Sequence, residues 1–252
     1  PAIMRTFDIS TSTVQWLSTI FMLVNGIMIP VSAWLINKLN SRVMYIVAES
    51  CFLLGTITAF VSPNFQTLLL GRIIQSIGVG VSMPLQQTIM LSIFPPNKRG
   101  AAMGIVGMAT GLAPAIGPTL SGLVVDNLSW RDLFGFMIIP VIIVIALAFF
   151  LMRPDLKTHQ QPLDVWSVIT STVGFGALLY GVSDASSRGW TDSLVLSFII
   201  VGLIFIVLFV RRQFKLEDPF LKISVFKYPE FALASVISSV ANLAMIGVEM
   251  LL

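Results

Sequence analysis

One cysteine, one histidine and a charged fraction of only 11 % are the scarcities of this 252-residue chain. The single cysteine, Cys51, excludes an internal disulfide and any multi-cysteine metal site. It lies in apolar sequence, where a small buried side chain is its plain role. The single histidine, His159, sits in a polar stretch with no ligand or relay partner near it in sequence. An enzyme would need His, Cys, Asp or Glu gathered at catalytic or ligand spacing, and no such cluster is present. No cofactor or metal is implied. The shortage of charge matters most. A soluble domain carries about 25 % charged residues. With 56 % apolar residues, this chain has too few polar side chains to cover a water-facing surface. A net charge of +3 is no nucleic-acid signature, because the basic residues are not gathered on one soluble face. Also absent are an initiator methionine and a targeting segment: the chain begins PAIMRTFDIS and stops at Leu252 inside apolar sequence. It reads as a piece of a longer integral membrane protein.

What the chain does have is long apolar runs separated by charge, proline, glycine and asparagine. Their lengths suit helices that cross a bilayer, about 20 residues each, and exceed those of barrel strands. Eight helices are expected, at about 14–36, 43–61, 66–93, 100–125, 132–152, 164–183, 193–210 and 231–252. Alternate connections differ in charge. The segments 37–42, 94–99, 153–163 and 211–230 hold Lys38, Arg42, Lys98, Arg99, Arg153, Lys157, Arg211, Arg212, Lys215, Lys222 and Lys227. The others hold Arg5, Arg131 and Arg188. Eleven against three places the first set in the cytoplasm of a multi-pass protein of the cell membrane. Two of these segments, 152–164 and 211–230, are long and polar, and they bracket a helix pair. Three parts follow: residues 1–152, a first bundle; 153–210, a linker and central pair; and 211–252, a loop and the first helix of a second bundle.

The run from Gly100 to Val125 carries no charge, yet its stretch GMATGLAPAIGPTLSG contains two prolines and four glycines. Small residues three to four apart give a face on which another helix can lie close. Prolines free backbone carbonyls and bend a helix. A tightly packed static helix and a packing hinge both fit these physical properties.

The pattern Gly104, Ala113, Gly117-Pro118, Ser121-Gly122 resembles the antiporter motif of the major facilitator superfamily, on the fifth helix of its proton-coupled exporters. The family usually has glycine at the positions of Ala113 and Ser121. LLLGRIIQSIGVG (68–80) is similar to the family's fourth-helix pattern, with Arg72, Gln75 and Gly78 in register and Ser76 in place of glycine. AWLINKLNSR (33–42) stands where the family has a basic loop between its second and third helices. Lys38 and Arg42 match basic positions, whereas Ala33, Asn37 and Asn40 replace glycine, aspartate and glycine. SWRDLFGFMIIP, LDVWSVITSTVGFGALLYGVS and Gly189-Trp190 look like the fourteen-helix drug:proton antiporters, which have an extra central helix pair.

The resemblance covers nearly the whole chain and implies an all-α polytopic bundle, truncated to about helices two to nine. It implies a proton-coupled multidrug exporter that works by alternating access, with lipophilic or cationic drugs, protons and the bilayer as partners, and functional as a monomer. In that setting Arg72 and Gln75 take part in proton coupling and Gly78 in fourth-helix packing. Gly104, Pro114, Gly117, Pro118 and Gly122 form the hinge and packing face, and Lys38 and Arg42 the cytoplasmic gate. Glu49, about 10 Å inside its span, is a further proton-site candidate by virtue of its depth. Each charge also has a plain reading. Arg72 can snorkel to the interface, Glu49 can reach it or pair with a loop cation, and Glu249 lies near the far end of its span. A carrier for a defined metabolite is the alternative function, for which Asn25, Gln86, Gln87 and Asn242 offer hydrogen-bonding groups.

Overall fold

The computed structural model describes residues 2–152, 164–216, 219 and 221–251. The polar segment 153–163, with His159, lies outside the described residues. The elements in chain order are α1 (Ala2–Phe7), α2 (Thr11–Lys38), α3 (Ser41–Phe60), α4 (Phe65–Ile93), α5 (Pro96–Asn127), α6 (Trp130–Leu151), α7 (Val165–Arg188), α8 (Ser193–Gln213), a short 3-10 helix (Ile223–Lys227) and α9 (Pro229–Leu251). Among the described residues there is no strand. The eight expected helices are all present, with ends displaced by a few residues, and α1 is an addition. Seven of them, α2 to α8, are long and apolar enough to cross a membrane. In α9 the described apolar stretch, Pro229–Ala244, is shorter than a span.

The helix ends have local causes. Ser10, Asn40, Asn64 and Asp192 each accept a backbone N–H of the first turn that follows, satisfying donors that have no intrahelical partner. Ser129 and Asp132 form a reciprocal capping box at the start of α6. The turn between α7 and α8 passes through Gly189 at φ +90°, a conformation that suits glycine as a helix C-cap. Caps this close together leave short connections. The expected loop 37–42 contracts to Leu39 and Asn40, with Lys38 ending α2 and Arg42 inside the first turn of α3.

Small residues set the packing. A Cβ on Gly55 of α3 would lie 2.4 Å from the Gln75 nitrogen, and one on Gly78 of α4 would lie 2.5 Å from the Ala48 oxygen. The backbones of α3 and α4 therefore touch, the close approach that helices in lipid use in place of a hydrophobic driving force. On the other side of α4, Gly80 meets Met28 of α2. The far side of α2 receives α7, where Gly26 meets Leu179 and Trp16 tilts against Tyr180 at 5.8 Å. The α7–α8 pair closes the same way, Gly202 against the backbone of Leu178.

α3 and α6 run antiparallel and exchange arginines. Arg131, at the start of α6, donates to the Ser62 carbonyl just past α3 at 2.9 Å. Arg42, at the start of α3, donates to the Phe149 carbonyl in the last turn of α6 and lies over the Phe149 ring. Both arginines serve carbonyls at or just past a helix C-terminus, the end where cations are favoured.

Two elements stand apart. Most of α5 is exposed, with Ala102 the buried exception, and Gly104, Gly107, Gly111, Gly117 and Gly122 have no atom within 4 Å of where a Cβ would be. α9 packs chiefly on the 3-10 helix before it, through Phe226 and Phe231 at 5.1 Å.

Candidate functional site

Arg72 lies two turns into α4, and its surroundings draw it away from the near end of the helix. Its Nη1 donates to Gln75 Oε1 at 3.2 Å, one turn further into the span, and its guanidinium lies over the Phe21 ring of α2 at 4.4 Å. A snorkelling arginine would run back toward the start of α4. Gln75, 1 % exposed, donates in turn to Thr56 Oγ1 of α3 at 2.8 Å, and Thr56 donates to the Phe52 carbonyl at 2.8 Å. The path Arg72→Gln75→Thr56→Phe52 carbonyl has one donor sense throughout, so Gln75 presents its oxygen to the arginine. Ser76 donates to the Arg72 carbonyl at 2.7 Å. A guanidinium has five N–H donors, and the Gln75 bond uses one. Among the described residues no carboxylate is recorded on Arg72, so the group is a held cation with donors to spare.

Thr56 is the member that the sequence reading missed. Its only signal is a polar residue one position from Gly55, on the face where α3 meets α4.

Glu49 belongs to a different level. Ser82 of α4 and Tyr45, one turn earlier in α3, are the polar neighbours of its carboxylate. Ser82 is ten residues beyond Arg72, hence about 15 Å along α4. The structure therefore brings Arg72 and Gln75 together and leaves Glu49 elsewhere. Gly78 lies between the two levels, against α3.

The basic residues of the α2–α3 connection part company. Lys38 Nζ lies over the Trp34 ring at 4.7 Å on its own helix, whereas Arg42 crosses to α6. The antiporter-motif face presents Gly104, Gly117 and Gly122 to open space, and α5 runs unbroken through Pro114 and Pro118. The expected close packing of this face has no partner among the described residues. The side chain of Pro114 lies outside the described residues, as does that of Glu249.

A second polar cluster, unanticipated from the sequence, closes the basic end of the α7–α8 pair. Arg212 grips Asp164 with both arms, Nε to Oδ2 and Nη2 to Oδ1, each at 2.6 Å. Ser167 donates to Asp164 at 2.5 Å and accepts from Gln213 at 2.7 Å, and Gln213 accepts from the Leu221 N–H at 3.3 Å. The hydrogen bonds from Arg212 hold the Asp164 carboxyl below the usual carboxylate range. An aspartate just before an apolar run and an Arg-Gln pair just after one are the sequence marks of this clasp. Nothing in the sequence joins them until the two helices are paired.

The family model described as Major Facilitator Superfamily matches residues 1–252. An uncharacterized MFS-type transporter of Bacillus subtilis, YhcA, is 47 % identical over 97 % of this chain and 46 % of its own length. The lincomycin resistance protein LmrB of Listeria innocua is 38 % identical over 99 % of the chain and 53 % of its own length. The colistin resistance protein EmrB of Acinetobacter baumannii is 29 % identical over 93 % of the chain and 46 % of its own length. The chain spans about half the length of the curated relatives it matches.

Proposed function

The chain belongs to the major facilitator superfamily, and on that premise we propose that the whole protein is a proton-coupled exporter of lipophilic and cationic drugs. It works by alternating access in the cell membrane, with the basic ends of the helices in the cytoplasm. Two relatives bear the names of antibiotic resistances, lincomycin and colistin, which supports drugs as the cargo. The basic-residue asymmetry supports the orientation.

The observation that carries the proton-coupling part is Arg72, a cation held at depth by Gln75 and Phe21 with donors left over. An unpaired charge inside a membrane costs a few kcal/mol and is a functional site by default. A carboxylate brought beside Arg72 is held ionised, and a proton that reaches it dissolves the pair. That change in one contact biases the two access states, which no covalent chemistry needs to do. Glu49, beside Tyr45 and Ser82 at the other level, is a second proton-accepting group. Gly104, Pro114, Gly117, Pro118 and Gly122 await a helix of the second bundle, and Arg42 latches the cytoplasmic end of α3 to α6.

The test is a drug-sensitive bacterium lacking its own exporters and expressing the whole protein. Raised resistance to lincomycin or tetraphenylphosphonium, lost on adding a protonophore, is the expected result. Unchanged resistance across such a panel, with the protein present in the membrane, would instead favour a carrier of a defined metabolite.

A further inference from the structure

Threonine hydroxyls inside helices commonly bond back to the preceding turn, and that is the plain role open to Thr56. Thr58 of the same helix does this: its hydroxyl donates to the Leu54 carbonyl at 2.8 Å. Thr56 makes the equivalent bond to the Phe52 carbonyl at 2.8 Å and then takes a second one, from Gln75 of α4. A hydroxyl has one proton, and the carbonyl, which can only accept, uses it. Toward Gln75 the Thr56 oxygen is left as an acceptor, and only the amide nitrogen can meet it.

The other end of the amide faces the opposite demand. Arg72 has donors and no acceptor, so it requires the amide oxygen. Both requirements select the same one of two amide orientations, Nε2 toward α3 and Oε1 toward the cation. Packing leaves little else free. Gln75 is 1 % exposed, and Thr56 is fully buried. A Cβ on Gly55 would stand 2.7 Å from Gln75 Cγ, so the glutamine stem lies in room that the glycine leaves. With the stem fixed, the open choice is which end of the amide faces Arg72. Reversed, the amide would set its NH2 against the guanidinium and its oxygen against the Thr56 oxygen.

We infer that Thr56 is a positioning residue of the proton-coupling site: its hydroxyl orients the Gln75 amide, and the amide in turn holds Arg72. This rests on the proton-coupling reading above. Among the described residues, Arg72 is the one ionisable group recorded on Gln75, and none is recorded on Thr56. Phe21, the residue of α2 against Arg72, does not titrate, and Glu49 belongs to the other level.

The test is drug efflux by the whole protein in inverted vesicles, at matched protein level and across a range of pH. Lincomycin or tetraphenylphosphonium is the cargo. Thr56→Val exchanges the hydroxyl for a methyl of similar size and frees the amide to turn. Arg72, less well held, keeps a partner carboxylate ionised less strongly. The expected result is a loss of efflux of about threefold to tenfold, with the midpoint of the pH profile raised by about half a unit or more. Thr56→Ser, which keeps the hydroxyl, should recover both. Thr56→Ala removes the same hydroxyl and adds no atom, so it supplies the reading if Thr56→Val does not reach the membrane. In a Gln75→Leu background, Thr56→Val should add no further loss, because no amide is left to orient. An unmoved midpoint, with Arg72→Ala abolishing coupled efflux in the same assay, would overturn the inference and leave the coupling reading standing. An added loss in the double variant would do the same. If Arg72→Ala itself leaves coupled efflux intact, the coupling reading fails, and the role of Thr56 with it.

Discussion

At the residue scale, Arg72 shows how a membrane protein keeps a charge that lipid opposes. The guanidinium is supported on one side by an aromatic face and on the other by an amide that is itself held by Thr56. A lysine would keep the charge but lose the planar fork and the stacking. A hydrogen bond to a charged group is worth about 1.5–3 kcal/mol, so Arg72→Lys should lower proton-coupled efflux about tenfold or more. Transport assays on protein matched for membrane level check this, and unaltered efflux would remove Arg72 from the coupling. Asp164 supports a prediction of different kind. Its carboxyl titrates lower in the folded protein than in the unfolded chain, so its contribution to stability is complete above the ordinary aspartate value of about 4 and fades as pH falls through the folded value. Asp164→Asn should therefore lower the melting temperature of the detergent-purified protein at neutral pH by a few degrees, with the gap from wild type closing in strong acid. A gap that is constant with pH would mean the clasp acts through packing and not charge. Arg72 and Gln75 were legible in the sequence because their spacing matches a known pattern. Thr56, Asp164 and Arg212 were not, because each gains its partner only from a helix 19 or 48 residues away.

At the scale of the element, the glycines fall into two classes that the sequence cannot separate. Those of α3, α4 and α8, with Gly174 and Gly181 of α7, touch a neighbouring backbone, whereas those of α5 face open space. Gly55→Ala would drive a Cβ to 2.4 Å from the Gln75 nitrogen and 2.6 Å from the Gly71 oxygen, both backbone atoms that cannot step aside. Overpacking of this kind costs about 1–3 kcal/mol and more where backbones collide. Gly107→Ala meets nothing and gains helix propensity of roughly 0.5–1 kcal/mol. Fluorescence-detected size exclusion of the two variants should show a loss of monodisperse protein for Gly55→Ala and none for Gly107→Ala. Equal behaviour would contradict the packing described for α3 and α4. Helix existence and order were legible from apolar run length. Helix ends moved by a few residues because Ser10, Asn40, Asn64 and Ser129 act as caps, a local hydrogen-bond choice that hydropathy does not register.

At the scale of the whole molecule, the chain forms one packed body of α2, α3, α4, α6 and the α7–α8 pair, with α5 and α9 outlying. The division into a bundle, a central pair and a second bundle is drawn from composition, and the contacts add that the central pair lies against α2. The exposed small-residue face of α5 and the spare donors of Arg72 are two features of a mechanism completed by further helices in the proposal made here. The central claim is that Arg72 couples a proton to drug movement. Its most direct test is drug-induced proton release in inverted vesicles containing the whole protein, wild type beside Arg72→Ala. The account predicts proton release with lincomycin or a lipophilic cation in wild type and none in the variant. Equal release from both would contradict it.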